Sequence, residues 1–181
     1  CDVIGRREIY TVFQKRFNGN VDFYRNFADY EEGFGSVDDE FWLGLKNIRR
    51  LVVQTGDKNQ LRVDMTVKGA GINYTRIYPT FSIGPGDGYR LTVSGLYDRG
   101  FGMSSNSFKS FSTYDRGLKD IANKNNRGAG WWFPEDLGYV NLNGVWGVTG
   151  KSYSMFWWEL RQDLNFVLEK TEMKFKRYVQ K

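Results

Sequence analysis

Polar and apolar residues alternate over several stretches of the chain, as they do in strands with one buried face. Residues 60–69, "QLRVDMTVKG", carry Leu61, Val63, Met65 and Val67 at every second position. Weaker alternation predicts further strands at residues 9–17, 72–84 and 89–95, with the turn "GPGDG" between the last two. Residues 164–178 alternate again, so the chain is predicted to end back in the sheet.

Two stretches follow the helical period instead. The first runs over residues 23–34, with glycines at 33 and 35 as stop signals. The second starts at Asp38, with acidic residues at its beginning and basic residues towards its end, as the helix dipole favours. The predicted buried faces are Phe23, Phe27, Tyr30 and Phe34 in the first helix, and Phe41, Leu45, Ile48 and Val52 in the second.

Residues 96–150 have little periodicity, although they are rich in Gly, Ser and Asn and still carry many aromatic residues. Loops of this length inside a compact domain are uncommon and are usually functional. Two early helices followed by a strand meander predict an α+β fold. In this fold an antiparallel sheet is flanked by the two helices and joined to an irregular, loop-rich region.

Composition excludes several classes of function. The 181 residues contain no histidine and 1 cysteine, so a Ser-His-Asp unit, a histidine-ligated metal and an internal disulfide are all excluded. The net charge of +5 is scattered among acids, without the continuous basic face of a nucleic-acid reader. No stretch is apolar enough to span a membrane. The neighbouring acids Glu135 and Asp136 fit a solvated turn better than a catalytic pair.

A series of short motifs resembles the fibrinogen C-terminal domain. After residues 10–48 come "QLRVDM", "YRLTVSG", "FSTYD", "GWWF", "NLNG" and "EKTEMKFKR", in the order of that family. Within the family, these motifs are most similar to those of invertebrate secreted fibrinogen-related immune lectins. The resemblance implies one domain over residues 1–181. Its core would be residues 9–95 and 160–178, and residues 96–159 would form a ligand-binding subdomain.

The resemblance also implies a calcium loop and two disulfides, and the chain departs from both. Asp115 matches the first acid of the calcium loop, but Gly117 stands where the second acid belongs. Bound calcium is therefore doubtful, because this ion takes about six to eight oxygen ligands. One cysteine pair is replaced by Ile121 and Leu137, which we expect to touch. Cys1 matches half of the other pair, whose partner is absent from this chain.

The tryptophans of "GWWF" are expected in the core of the irregular region first and as a ligand platform second. In lectin-like members an acetyl group is held by a histidine, an aromatic-small pair and a nearby polar residue. Gly138 replaces the histidine here, while Tyr153-Ser154 and Asn126 match the other parts. A re-shaped pocket would be lined by Tyr139, Tyr153 and Trp157.

Two functions follow from these expectations. The first is a secreted, non-catalytic module of innate immunity that binds glycans or glycoproteins, with oligomerisation through regions outside this chain. The alternative is an adhesion module or receptor ligand that binds a protein. An exposed apolar patch near Tyr153 and Trp157 would favour a protein partner, and a small polar pocket would favour sugar. The sequon "NYT" at Asn73 is an expected glycosylation site if the protein is secreted.

Overall fold

The computed structural model describes residues 2–4, 8–56, 58–69, 71–95, 102–135, 138–160 and 168–177. The strands are β1 Asp2–Ile4, β2 Glu8–Arg16, β3 Phe34–Gly35, β4 Phe41–Trp42, β5 Asn59–Val67, β6 Asn73–Tyr78, β7 Thr80–Ile83, β8 Leu91–Ser94, β9 Val140–Asn141, β10 Phe156–Trp157 and β11 Leu168–Arg177. The α-helices are α1 Phe27–Glu32, α2 Leu45–Gln54 and α3 Lys119–Ala122. Short 3-10 turns occupy Met103–Asn106 and Trp158–Leu160.

The main sheet is antiparallel, with the order β3-β4-β2-β11-β5-β6 and with β1 paired to β2. The C-terminal strand β11 lies between β2 and β5, which confirms that the chain ends back in the sheet. Strand β5 is buried at every second residue, as its alternation predicts. Two smaller pairs, β7–β8 and β9–β10, are also antiparallel. The predicted α+β class with an antiparallel sheet is confirmed.

The two early helices are present, but both were predicted with wrong ends. Phe34 lies in β3 and not in α1, because Gly33 ends the helix with a backbone φ of +100°. Helix α2 begins at Leu45, after Gly44, and Phe41 lies in strand β4. The predicted acidic start of this helix is therefore wrong, and no basic residue occupies its last turn. Its buried residues do include Leu45, Ile48 and Val52.

Glu40, which was predicted to begin the second helix, is a buried residue directly before strand β4. Its carboxylate accepts four hydrogen bonds of 2.7–3.1 Å from one loop. The donors are the backbone N–H groups of Phe17, Asn18, Gly19 and Val21. The Nε of Arg16 lies 3.7 Å from the same carboxylate. Glu40 thus fixes the loop that leaves β2.

Buried asparagines hold the irregular region together. The side-chain amide of Asn106 donates to the carbonyl of Trp132, that of Asn141 to Arg127, and that of Asn143 to Gly130, at 2.9–3.0 Å. Without these side chains, loop carbonyls that form no hydrogen bonds within a β-sheet would be buried without a partner. These three side chains, all 0% exposed, therefore replace regular secondary structure there.

Candidate functional site

The paired tryptophans lie inside the protein and not on a binding surface. Trp131 and Trp132 are both fully buried. The ring of Trp132 lies 5.0 Å from Phe111 and 6.0 Å from Trp42, so it joins the irregular region to the sheet. Its Nε1 donates to the carbonyl of Tyr89 at 2.7 Å. A glycine-rich loop can carry such large rings because the rings form its core. Since both side chains are buried, they do not form a ligand platform in this structure.

Asp115, the candidate calcium ligand, is used by the protein itself. Its Oδ1 accepts from the backbone N–H of Phe27, at the first residue of α1, at 3.0 Å, and from the hydroxyl of Thr113 at 2.6 Å. Gly117 has a φ of +73°, and a Cβ there would lie 2.5 Å from the hydroxyl of Ser112. In the described part of the chain, no three His, Cys, Asp or Glu side chains meet as a metal-binding group.

Three of the candidate sugar-binding residues lie in one area around a buried arginine. Arg127 is mostly buried and donates to the carbonyl of Ser152 at 3.1 Å. Asn141 donates both to Arg127 and to the carbonyl of Ser154. Tyr153 lies against the backbone of Gly128, 3.2 Å from the position of an added Cβ. Asn126 closes the turn before Arg127 through its own hydrogen bond to Asp120.

The other three candidates lie along the β9–β10 pair. Trp157 is paired with Val140 and is 0% exposed, with its ring near Tyr78. Gly138 is buried, and Tyr139 is half-buried. Because Trp157 points inward, it does not line an open pocket. The exposed aromatic side chain at this place is the next residue, Trp158.

Trp158 is 47% exposed, and its ring meets that of Tyr139 edge-to-face at 6.3 Å. The backbone N–H of Trp158 donates to the carbonyl of Tyr139 at 2.8 Å, which holds the two backbones together. Val145, 37% exposed, bonds through its backbone N–H to the carbonyl of Tyr153. Sequence reasoning missed Trp158, although the run "MFWWELR" signals that one of its two tryptophans must face outward if the other faces inward.

Three further expectations concern residues that lie, at least in part, outside the described ranges. Leu137, the expected contact of Ile121, lies outside the described residues, and Ile121 itself packs against the core. Cys1 also lies outside them. Asp136 does too, while its neighbour Glu135 is exposed.

Residues 1–178 match the family described as the fibrinogen beta and gamma chains, C-terminal globular domain. The chain belongs to this family. It is 38% identical to microfibril-associated glycoprotein 4 of Homo sapiens, over 98% of this chain and 72% of that protein. It is 37% identical to tenascin-R of Homo sapiens, over 98% of this chain but 13% of that protein.

Solved structures agree with the sequence relatives. The fibrinogen-like globe domain of human ANGPTL2 superposes with a TM-score of 0.86 at 30% identity, over 99% of this chain and 85% of that one. Lamprey fibrin D-dimer, in complex with the peptide Gly-His-Arg-Pro-amide, gives 0.78 at 26% identity, over 98% of this chain and 64% of that one. The family and fold expected from the motifs are thus confirmed. The relatives named here are vertebrate proteins and give no support to the narrower likeness to invertebrate immune lectins.

Within the described ranges, no helix has the length and apolar character needed to cross a membrane.

Proposed function

We propose that this fibrinogen C-terminal domain is an extracellular, non-catalytic adhesion module that binds a protein or glycoprotein partner. The observation that carries the proposal is the exposed Trp158, seated on Tyr139 in the loop-rich region. A large aromatic ring held in a fixed orientation at the surface is typical of interface hot spots. The names of the relatives, which include a microfibril-associated glycoprotein, agree with a partner in the extracellular matrix.

Burial of half of the candidate sugar site also supports a protein partner. Trp157, Gly138 and Ser154 are buried in the structure, and the position of the expected histidine is a glycine. Val145 and Trp158 are both partly exposed and supply apolar surface that a protein partner could bury. Any weak single-site affinity would be strengthened by oligomers formed outside this chain.

The second candidate is glycan recognition in innate immunity. It is favoured by Tyr153, which is half-buried beside Ser154, and by the nearby turn at Asn126. In both cases we propose that binding does not require calcium, because Gly117 supplies no second carboxylate and the Oδ1 of Asp115 already accepts two hydrogen bonds from the protein.

The test is binding of the multimerised chain to immobilised, purified matrix glycoproteins and, in parallel, to a glycan array. Trp158→Ala should weaken matrix binding at least about tenfold, as expected for a hot-spot residue. The control is Phe108→Ala, which removes another exposed aromatic side chain from a different loop. Equal loss in both variants, or none in either, would contradict the proposed surface.

Deglycosylation separates the two candidates. Binding that survives enzymatic deglycosylation of the immobilised protein supports a protein partner. Binding that is lost on deglycosylation, together with signals on the array, supports the lectin alternative. Chelator should change neither result, and loss of binding with chelator would overturn the calcium-independent proposal.

A further inference from the structure

A groove of about 400 Å³ lies on the outer face of the main sheet. This volume lies in the range of sites that hold small ligands. The side chains that matter for its chemistry are Lys15, Phe17, Asp64, Thr66, Lys170 and Glu172. They come from the end of β2, from the loop after it, and from the neighbouring strands β11 and β5.

The strand register places the sequon at the edge of this groove. Directly paired residues of antiparallel strands project from the same face of a sheet. Lys170 pairs with Thr66, and Thr66 pairs with Asn73 on the edge strand β6. One row further along, Glu172 pairs with Asp64, which pairs with Thr75 of the same sequon.

Hydrogen bonds tie both sequon residues to the wall of the groove. The Oδ1 of Asn73 accepts from the hydroxyl of Thr66 at 2.8 Å. The hydroxyl of Thr75 donates to Asp64 at 2.6 Å. The Oδ1 of Asn73 is held against Thr66 while the residue is exposed, so a group attached to its Nδ2 begins in solvent, one strand away from Thr66 in the groove wall.

We propose that Asn73 carries an N-linked oligosaccharide whose first sugars lie in this groove and cover the outer face of the sheet. In the modification, Nδ2 of Asn73 attacks the anomeric carbon of a lipid-linked oligosaccharide. A C–N bond forms, the C–O bond to the lipid diphosphate breaks, and Nδ2 loses one proton. The reaction takes place while the chain is extended, before β6 pairs with β5.

The groove has the chemistry that sugars require. The amines of Lys15 and Lys170 can donate to sugar hydroxyls. The carboxylates of Asp64 and Glu172 are paired with Lys174, at 3.0 and 2.6 Å, and can accept from sugar hydroxyls through their remaining lone pairs. The ring of Phe17, half-buried at the groove, offers an apolar surface for the C–H face of a sugar ring.

The proposal rests on the extracellular location given above, but its test is independent of the partner. The chain is directed into the secretory pathway of mammalian cells, and intact mass is measured before and after peptide N-glycosidase. "NYT" is the sole sequon of the sequence, so any mass loss reports Asn73. We expect this loss for the native chain and for the matched control Thr75→Ser, and none for Thr75→Ala. An unglycosylated secreted chain would overturn the proposal.

A second measurement locates the glycan. Lysine acylation rates are compared, by peptide mass spectrometry, between the glycosylated chain and the enzymatically deglycosylated one. Lys15 and Lys170 should react severalfold more slowly with the glycan present, while Lys119, in the irregular region, should not change. Lys68 is exposed and close to the sequon, but is not among the groove residues. Protection of Lys68 without protection of Lys15 and Lys170 would show that the glycan points away from the groove, and would refute its position.

Discussion

Replacing Glu40 by glutamine should destabilise the fold strongly, although the side chain keeps its size. The carboxylate is buried, with three backbone N–H groups on Oε1 and one on Oε2. An amide has one oxygen, so its NH₂ group must face at least one of these donors. The side chain of Arg16, 3% exposed, also loses its counter-charge 3.7 Å away. Breaking a buried ion pair on one side costs about 3–5 kcal/mol, which is a large part of a typical domain's stability.

The effect should depend on pH in a defined direction. Burial by itself raises the pKa of Glu40, but the backbone N–H groups of Gly19, Asn18, Phe17 and Val21 outweigh it, so the pKa is below the ordinary value. The unfolded state therefore binds the proton more readily than the folded state. The contribution of Glu40 is complete above the unfolded pKa and is lost as pH falls through the folded pKa.

The assay is urea unfolding followed by tryptophan fluorescence, measured for the native chain and for Glu40→Gln from neutral to acidic pH. The control is Glu32→Gln, the same substitution in an exposed ion pair with Lys46 that should contribute little. The difference between Glu40→Gln and the native chain should shrink on acidification. A loss no larger than that of the control, or one that is constant with pH, would refute the role given to Glu40.

Three further predictions concern the irregular region. Asp115→Ala should lower the free energy of unfolding by about 1 kcal/mol, as the loss of a helix-end acceptor does. Calcium or chelator should leave the melting temperature of the native chain unchanged, and a calcium-dependent shift would contradict this. Gly117→Ala should cost about 1–2 kcal/mol in urea unfolding because of its positive φ, and a neutral result would show that the loop relaxes easily. Trp132→Phe should be more destabilising than Trp131→Phe by about 1 kcal/mol. The reason is that the indole N–H of Trp132 is hydrogen-bonded, while that of Trp131 has no partner among the described residues. Equal free energies of unfolding for the two variants would contradict this prediction.

The sequence predicts the sheet better than the ends of the helices, and the reason is the range of the interactions involved. Burial in β5 alternates along nine residues, so the pattern is local and visible in the sequence. The start of α2 is decided by contacts far apart in the chain. Trp42 pairs with Gln14 in a ladder, and Glu40 binds the loop after β2. A run of acids before an apolar stretch looks the same whether it caps a helix or binds a distant loop.

The candidate site shows more clearly what cannot be predicted from the sequence. Trp157 and Trp158 are identical neighbours, and only the pairing of β10 with β9 decides which of them faces outward. The motifs assign both tryptophans to one short segment, but they cannot give the orientation of either ring. A two-residue strand carries no readable alternation of its own. For this reason the predicted pocket included Trp157 and missed the exposed Trp158.

Asp115 illustrates why a matching residue is weaker evidence than a matching environment. In the structure its carboxylate accepts from Thr113 and from the first N–H of α1, so it joins the irregular region to the helix. These two contacts account for an aspartate at this position without a metal. Both hydrogen bonds fall on the Oδ1 of Asp115, and Gly117 supplies no second carboxylate for bound calcium. The loop therefore has a structural use in this chain whatever ligand the domain binds, and we expect ligand binding and calcium to be separable here.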